Sequence, residues 1–319
     1  NKNASHKNNE ENKIHSYFRR YRKENESSVR IVKLAGGLGN QLFQYAFATA
    51  LGDDVLFDIT WYSQYNNMEY PRVYQLSHFC VDIQLAIQEE IDYCLAKKRK
   101  GAGILSLISQ YILKKQPRKI MDKRAVVFQA EFLEPRNHAY YEGYFQSEKY
   151  FLHIRERLLR EFKISTPPLH NSDNRRILDL ILKKNAISLH IRRGDYLTPK
   201  NTERHCLCSP SYYQNAIQYI IQRVENPHFF IFSDDISWVY DNFKISYPYT
   251  IVDVNDSYTG YYDLELMRNC KHNIIANSTF SWWGAWLNEN PNKIVIAPQR
   301  WFMNQEDEID IIPSSWVKI

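Results

Sequence analysis

The 319-residue sequence has no apolar run of the roughly 20 residues that a membrane-spanning helix needs. The longest candidate, Gly103 to Leu113, reads as a buried helix instead. A signal-peptide pattern is also missing from the chain as it starts at Asn1. Cysteine is sparse and irregular. Cys80, Cys94, Cys206, Cys208 and Cys270 form an odd set with no framework spacing, which argues against a disulfide-stapled scaffold and for reduced thiols in a cytosolic enzyme. His205-Cys206-Leu207-Cys208 has a metal-like look, but no second ligand pair stands at useful spacing, so no metal is expected there. A strong charge of one sign is lacking as well. The net charge of +5 is too mild and too scattered for a nucleic-acid-binding face, although it suits an anionic ligand or a membrane surface.

What is present is globular: 44% hydrophobic and 24% charged residues, with 23 Tyr and 7 Trp. That aromatic content suits carbohydrate recognition, and it equally suits a packed core. Residues 1–29 are polar and read as a disordered or stem-like tail, in which Ile14 to Lys23 could form a short basic helix at a membrane surface. Order begins with a strand at 29–35, followed by a glycine-rich turn, a helix over 41–51 and a strand at 55–58. Residues 61–80 look irregular, 85–115 helical with cationic ends, 126–128 and 139–141 extended, and 147–162 helical. Thr166-Pro167-Pro168 is the best domain boundary. Beyond it, helices at 173–184, 210–224, 260–270 and 282–289 alternate with strands at 186–189, 228–232, 250–253, 273–276 and 293–297. Such alternation builds parallel sheets, so an α/β fold with domains at 30–166 and 167–300 is expected, and residues 301–319 pack back on the first domain.

The loops after these strands carry the chemistry. The strand ending at Leu189 runs into His190-Ile191-Arg192-Arg193-Gly194-Asp195-Tyr196. Two adjacent guanidiniums at a strand's C-terminal end suit a phosphate or carboxylate ligand, or else a surface salt-bridge cluster with Asp195. Gly36-Gly37-Leu38-Gly39-Asn40-Gln41 opens a helix without the dinucleotide fingerprint, and is either a phosphate-binding loop or a tight turn. Ser233-Asp234-Asp235 reads as helix capping by Ser233 or Asp234 plus a ribose contact, with a divalent metal bound by the aspartate pair as the alternative. Asn277-Ser278-Thr279-Phe280-Ser281 presents hydroxyls and an amide to an anion, while Trp282 and Trp283 lock the following helix into the core. Asp263, one helix earlier, is either a guanine acceptor or an ordinary helix residue.

In this order, Gly36 to Tyr45, Glu142-Gly143-Tyr144-Phe145-Gln146, His190 to Tyr196, Phe232 to Asp235 and Asn277 to Leu287 resemble the α-1,2-fucosyltransferase family, family 11 of the glycosyltransferases. The resemblance runs from about Ile31 to the C-terminus. It implies a GT-B architecture, two Rossmann-like domains facing across a cleft, with the acceptor on the first domain and GDP-fucose on the second. It further implies inverting transfer from GDP-β-L-fucose to O2 of a terminal β-galactoside on an oligosaccharide or glycolipid, with no cofactor and no obligatory metal. Arg192 would bind the β-phosphate assisted by Arg193, His190 and Asp263 would recognise guanine, Asp234 would contact the donor, and Asn277 to Ser281 would line the diphosphate. Asp195 is the candidate base by position, and Gly37, Gly39, Asn40 and Gln41 line the cleft. The location implied is the cytoplasm, peripheral to the inner membrane in a bacterium, or the Golgi membrane for a form cut from an anchored precursor.

Overall fold

The computed structural model describes residues 28–64, 72–95, 118–165, 172–194, 207–302 and 309–319. The N-terminal tail, the apolar stretch 103–113, the boundary at 166–168, Asp195 and Tyr196, and His205-Cys206 lie outside the described residues.

The first half comprises β1 (Val29–Lys33), α1 (Leu38–Leu51), β2 (Val55–Asp58), α2 (Thr60–Gln64), α3 (Gln88–Cys94), β3 (Arg118–Met121), β4 (His138–Glu142) and α4 (Arg155–Glu161). The second comprises α5 (Ser172–Lys183), β5 (Asn185–Ile191), α6 (Pro210–Ile221), β6 (Pro227–Ser233), α7 (Ile236–Asn242), β7 (Tyr249–Ile251), α8 (Gly260–Arg268), β8 (His272–Ile274), α9 (Thr279–Trp286), β9 (Val295–Ala297) and β10 (Val317–Lys318). Two separate sheets result, ordered β2-β1-β4-β3 and β10-β9-β8-β5-β6-β7, and every pairing is parallel. The α/β class and the two-sheet plan of the GT-B type are therefore present.

Several expected elements are displaced. Residues 126–128 form a turn, and the strand is instead Arg118–Met121, within a stretch that reads as solvated cationic sequence. It lies at a sheet edge, where basic side chains reach water, and Lys119 pairs with Glu142 at 2.6 Å. The expected helix over 147–162 is two 3-10 turns followed by the seven residues of α4. The interval 61–80 is less irregular than its composition suggests, containing most of α2 and a 3-10 turn at Leu76–His78. Helix α1 begins at Leu38, three residues before the expected start, because Gly37 in extended conformation (φ −76, ψ 174) serves as its N-cap.

In an open parallel sheet, ligands sit beyond the strand C-termini where the onward connections part. In the second sheet that place lies between β5, whose chain leaves toward β6, and β8, whose chain leaves toward β9. Buried amides fix this pair: Asn273 Nδ2 donates to Ser188 Oγ at 2.7 Å, and Asn288 Nδ2 to Asn273 Oδ1 at 2.8 Å. In the first sheet the order reverses between β1 and β4.

The halves share one core. Phe43 of α1 lies 4.5 and 4.9 Å, centroid to centroid, from Trp282 and Trp283 of α9. Trp301, Ile311, Ile312 and Trp316 join the same cluster, and Asp310 binds the first half through Val126 O and Phe128 N, while β10 adds an edge strand to the second sheet. Among the described residues, no helix is long and apolar enough to cross a membrane.

Candidate active site

The loop after β5 and the loop after β6 form one unit. Asp234 Oδ1 accepts from the backbone N–H of Arg193 at 2.9 Å, and its Oδ2 lies 3.0 Å from Arg192 Nη1. Arg193 Nε reaches Asp235 Oδ2 at 3.4 Å, and its guanidinium lies 3.9 Å from the centre of the Trp238 ring. Among the described residues, then, the arginines meet the aspartate pair of the neighbouring strand, where the sequence suggested Asp195. The capping residue also differs from expectation: Asp235, not Ser233 or Asp234, caps α7, accepting from Trp238 N at 3.1 Å. Ser233 Oγ accepts from Asp235 N. Gly194 makes the arrangement possible, since a Cβ there would come within 2.2 Å of Asp234 Oδ2.

His190, next to the last residue of β5, is 4% exposed, and its Nδ1 is buried without a hydrogen bond. Burial, then the adjacent Arg192 charge, pushes its pKa down to about 3, so the ring is neutral at pH 7. Its backbone carbonyl accepts from Tyr213 hydroxyl at 3.1 Å, which fixes the strand end. A neutral imidazole with an unsatisfied ring nitrogen beside a guanidinium is a preformed site for a polar, anionic ligand.

The turn after β8 faces the same crevice. Ser278 caps α9 by accepting from Phe280 N, and Phe280 lies 5.9 Å from the His190 ring. The five expected diphosphate residues are not equivalent. Asn277, 1% exposed, donates to Trp301 O and accepts from Cys208 Sγ. Ser281, 2% exposed, donates to Ser278 O. Thr279 and Phe280 are the half-buried members that reach the surface. The tryptophans are core residues: Trp282 Nε1 donates to Ile311 O and Trp283 Nε1 to Gly39 O.

Asp263 lies in the first turn of α8, and Asn255 Nδ2 donates to its Oδ1 at 2.7 Å. Asn255 also exchanges amide hydrogen bonds with the buried Asn174 of α5. Burial raises the Asp263 pKa to about 7, against the lowering effect of the Asn255 bond. Sequence reasoning missed Asn174, Asn255 and Trp238, because each acts through a partner distant in the chain.

The glycine loop serves two ends. Gly36 alone has a left-handed backbone, with φ +83. Gly39 is needed for approach: a Cβ there would meet Thr279 C at 2.5 Å and Phe280 N at 2.7 Å. Gln41 is fully buried, donating to Gly36 O and Val73 O and accepting from Gln75 N, and Asn40 Oδ1 accepts from Gln146. Gly37 thus caps α1, Asn40 and Gln41 tie the loop to its neighbours, and Gly39 brings it against the turn after β8.

The family model described as Glycosyl transferase family 11 matches residues 28–319. An Escherichia coli α-1,2-colitosyltransferase is 34% identical, over 92% of this chain and 99% of its own. The O-antigen biosynthesis glycosyltransferase WbnK of Escherichia coli is 31% identical over 90% and 99% respectively. The α-1,6-fucosyltransferase NodZ, co-crystallised with GDP, is 13% identical and covers 81% of this chain and 92% of its own at a TM-score of 0.42. On the family match and the two near-full-length relatives, the chain belongs to glycosyltransferase family 11.

Proposed function

We propose that the protein is an inverting fucosyltransferase that moves L-fucose from GDP-β-L-fucose to O2 of a terminal β-galactoside. The observation that carries this reading is the crevice between β5 and β8, where the unsatisfied His190 Nδ1 and the Arg192 guanidinium lie together. When the C1–O bond of the donor breaks, negative charge grows on the β-phosphate. A guanidinium already held in place stabilises that charge without reorganisation. Arg192 has this role, Asp234 holds it, and Thr279 and Phe280 complete the diphosphate wall. His190 and Asp263 face the guanine.

No metal is needed in this mechanism, because Arg192 supplies the cation. Inversion requires the acceptor hydroxyl to attack from the face opposite GDP, and Asp195, by its position in the arginine loop, is the proposed base. The similarity to the α-1,2-colitosyltransferase and to WbnK supports a bacterial surface glycan of the O-antigen kind as acceptor. A cytoplasmic enzyme peripheral to the membrane accords with that acceptor.

The test is incubation with GDP-fucose and a panel of lactose, N-acetyllactosamine and galactosyl-N-acetylhexosamine isomers, with the product linkage read by NMR. GDP-colitose, GDP-mannose and UDP sugars run alongside. An α-1,2-linked fucoside formed in EDTA is expected. Preference for GDP-colitose would change the donor assignment, and loss of activity in EDTA with recovery in Mn²⁺ would overturn the arginine mechanism. Arg192→Ala should abolish transfer in a folded protein, and near-normal turnover would remove its role.

A further inference from the structure

The first sheet has its own point of strand-order reversal, between β1 and β4, and the aromatic residues beyond its strand ends are not used in the donor reading above. Gly36 follows β1, Trp61 and Tyr62 follow β2 on α2, and Tyr144 follows β4. The topology thereby gathers three aromatic rings and a glycine turn at one sheet edge. Tyr74 is the fourth ring. Its segment is strapped across the glycine turn by Gln41, which binds Val73 O at 2.8 Å and Gln75 N at 2.9 Å.

The cluster is tied to the turn and to itself. Tyr62 hydroxyl donates to Gly36 O at 3.1 Å. Its ring stands edge-on to Trp61 at 5.1 Å and to Tyr74 at 6.1 Å. Burial, then the neighbouring Tyr144 and Tyr74 phenols, raises the Tyr62 pKa. Tyr62 is buried, whereas Trp61, Tyr74 and Tyr144 are half-buried, Trp61 and Tyr74 packing one side against the core and each residue keeping part of its surface accessible. Arg72 completes the patch, its Nη1 3.7 Å from where a Gly37 Cβ would lie.

Amphipathic rings with one hydrogen-bonding cation suit a neutral sugar, which offers an apolar C–H face and a rim of hydroxyls. The patch is also linked to the turn after β8 through the glycine loop. Gly36 is three residues from Gly39, at most about 11 Å along the chain. Gly39 packs on Thr279 of the turn lining the donor crevice.

We propose that Trp61, Tyr74 and Tyr144, with Arg72, form the acceptor platform and stack the penultimate sugars of the glycan that receives the transferred residue. This rests on the reading of the protein as a glycosyltransferase with a galactoside-terminated acceptor.

The experiment measures acceptor KM, donor KM, GDP affinity and slow hydrolysis of GDP-fucose for Trp61→Ala, Tyr74→Ala and Tyr144→Ala, singly, with N-acetyllactosamine as acceptor. Each is expected to raise acceptor KM about three- to tenfold, the value of one stacked ring, with donor KM and hydrolysis within about twofold of wild type. Trp61→Phe and Tyr144→Phe keep a ring and should recover most of the loss. An unchanged acceptor KM in all three variants, with wild-type transfer intact, overturns the platform alone. Parallel loss of donor and acceptor binding also overturns it, because the rings then only support the fold. Wild-type protein that transfers to no galactoside overturns the functional reading, and the platform with it.

Discussion

Gly39→Ala is the perturbation that most directly probes how the two halves meet. Two effects oppose each other. Gly39 has no left-handed strain and sits in the first turn of α1, so alanine should favour the helix by about 0.5–1 kcal/mol. Against this, the new Cβ would lie 2.5 Å from Thr279 C, 2.6 Å from Thr279 Oγ1 and 2.7 Å from Phe280 N. Ordinary contact begins near 3.5 Å, so α1 and α9 must part by about 1 Å. Two of the three atoms are backbone and have no rotamer to move to. Overpacking of this kind costs about 1–3 kcal/mol. Separation also weakens the bond from Trp283 Nε1 to Gly39 O, worth about 1 kcal/mol. The clash therefore wins, with a net loss of about 1–3 kcal/mol and a Tm lowered by several degrees. Because Thr279 and Phe280 move with it, kcat/KM for donor should fall by up to about 100-fold. Thermal unfolding and single-turnover transfer are the assays. Gly260→Ala is the control, because its Cβ would meet nothing nearer than the Phe280 ring at 3.9 Å. A Gly39→Ala protein at least as stable as wild type, with full activity, would refute the close approach.

Three further outcomes are expected. Asp234→Ala releases Arg192 and the Arg193 amide together, so transfer should fall about 10–100-fold while GDP-fucose still binds, and Asp234→Asn should retain more activity; equal activity in all three proteins would show that Asp234 does not position Arg192. His190 has a folded pKa near 3 against about 6.5 unfolded, so below pH 6.5 the unfolded chain takes the proton first. The stability it contributes is complete above pH 6.5 and declines toward pH 3 by up to about 1.4 kcal/mol per unit, a slope that thermal melts of His190→Gln should show reduced and that an unchanged slope would contradict. Asp263 has the opposite sign: its raised pKa means that its contribution to stability is present below about 3.9 and is lost as the pH rises toward 7. If its carboxylate accepts from guanine, guanosine affinity should rise about tenfold between pH 6 and 8 and be flat in Asp263→Asn; calorimetry with guanosine separates this from phosphate titration, and a flat wild-type profile would remove Asp263 from base recognition.

Local pattern revealed much of the architecture. The run Ala186 to Leu189 is mostly apolar and Phe229 to Phe232 wholly so, and all eight residues are buried because β5 and β6 are covered on both faces. Strand Arg118–Met121 was illegible, because an edge strand of lysine and arginine carries no apolar alternation. The 3-10 turns before α4 were equally hidden, since Ser147 and Phe151 have the spacing of a continuous helix. At the site, the arginine and serine-tryptophan motifs stood out as local clusters of functional groups. The pairing of Arg192 with Asp234 did not, because it joins loops about 40 residues apart through adjacent parallel strands.

Hydrophobic period marked an α/β chain, and the order of its motifs carried the resemblance to glycosyltransferase family 11, with polar and charged clusters after β5 and after β8. Period and local clusters are properties of short segments. Tertiary structure alone decided which groups remain for a ligand. It occupied Gln41, Asn277 and Ser281 with internal hydrogen bonds, and it left His190 Nδ1 buried and unsatisfied. It also placed the tryptophans of α9 in the core of the first half, setting the turn after β8 against the glycine loop. The physical reason is that a buried polar atom must find a partner anywhere in space, and sequence separation does not record that distance.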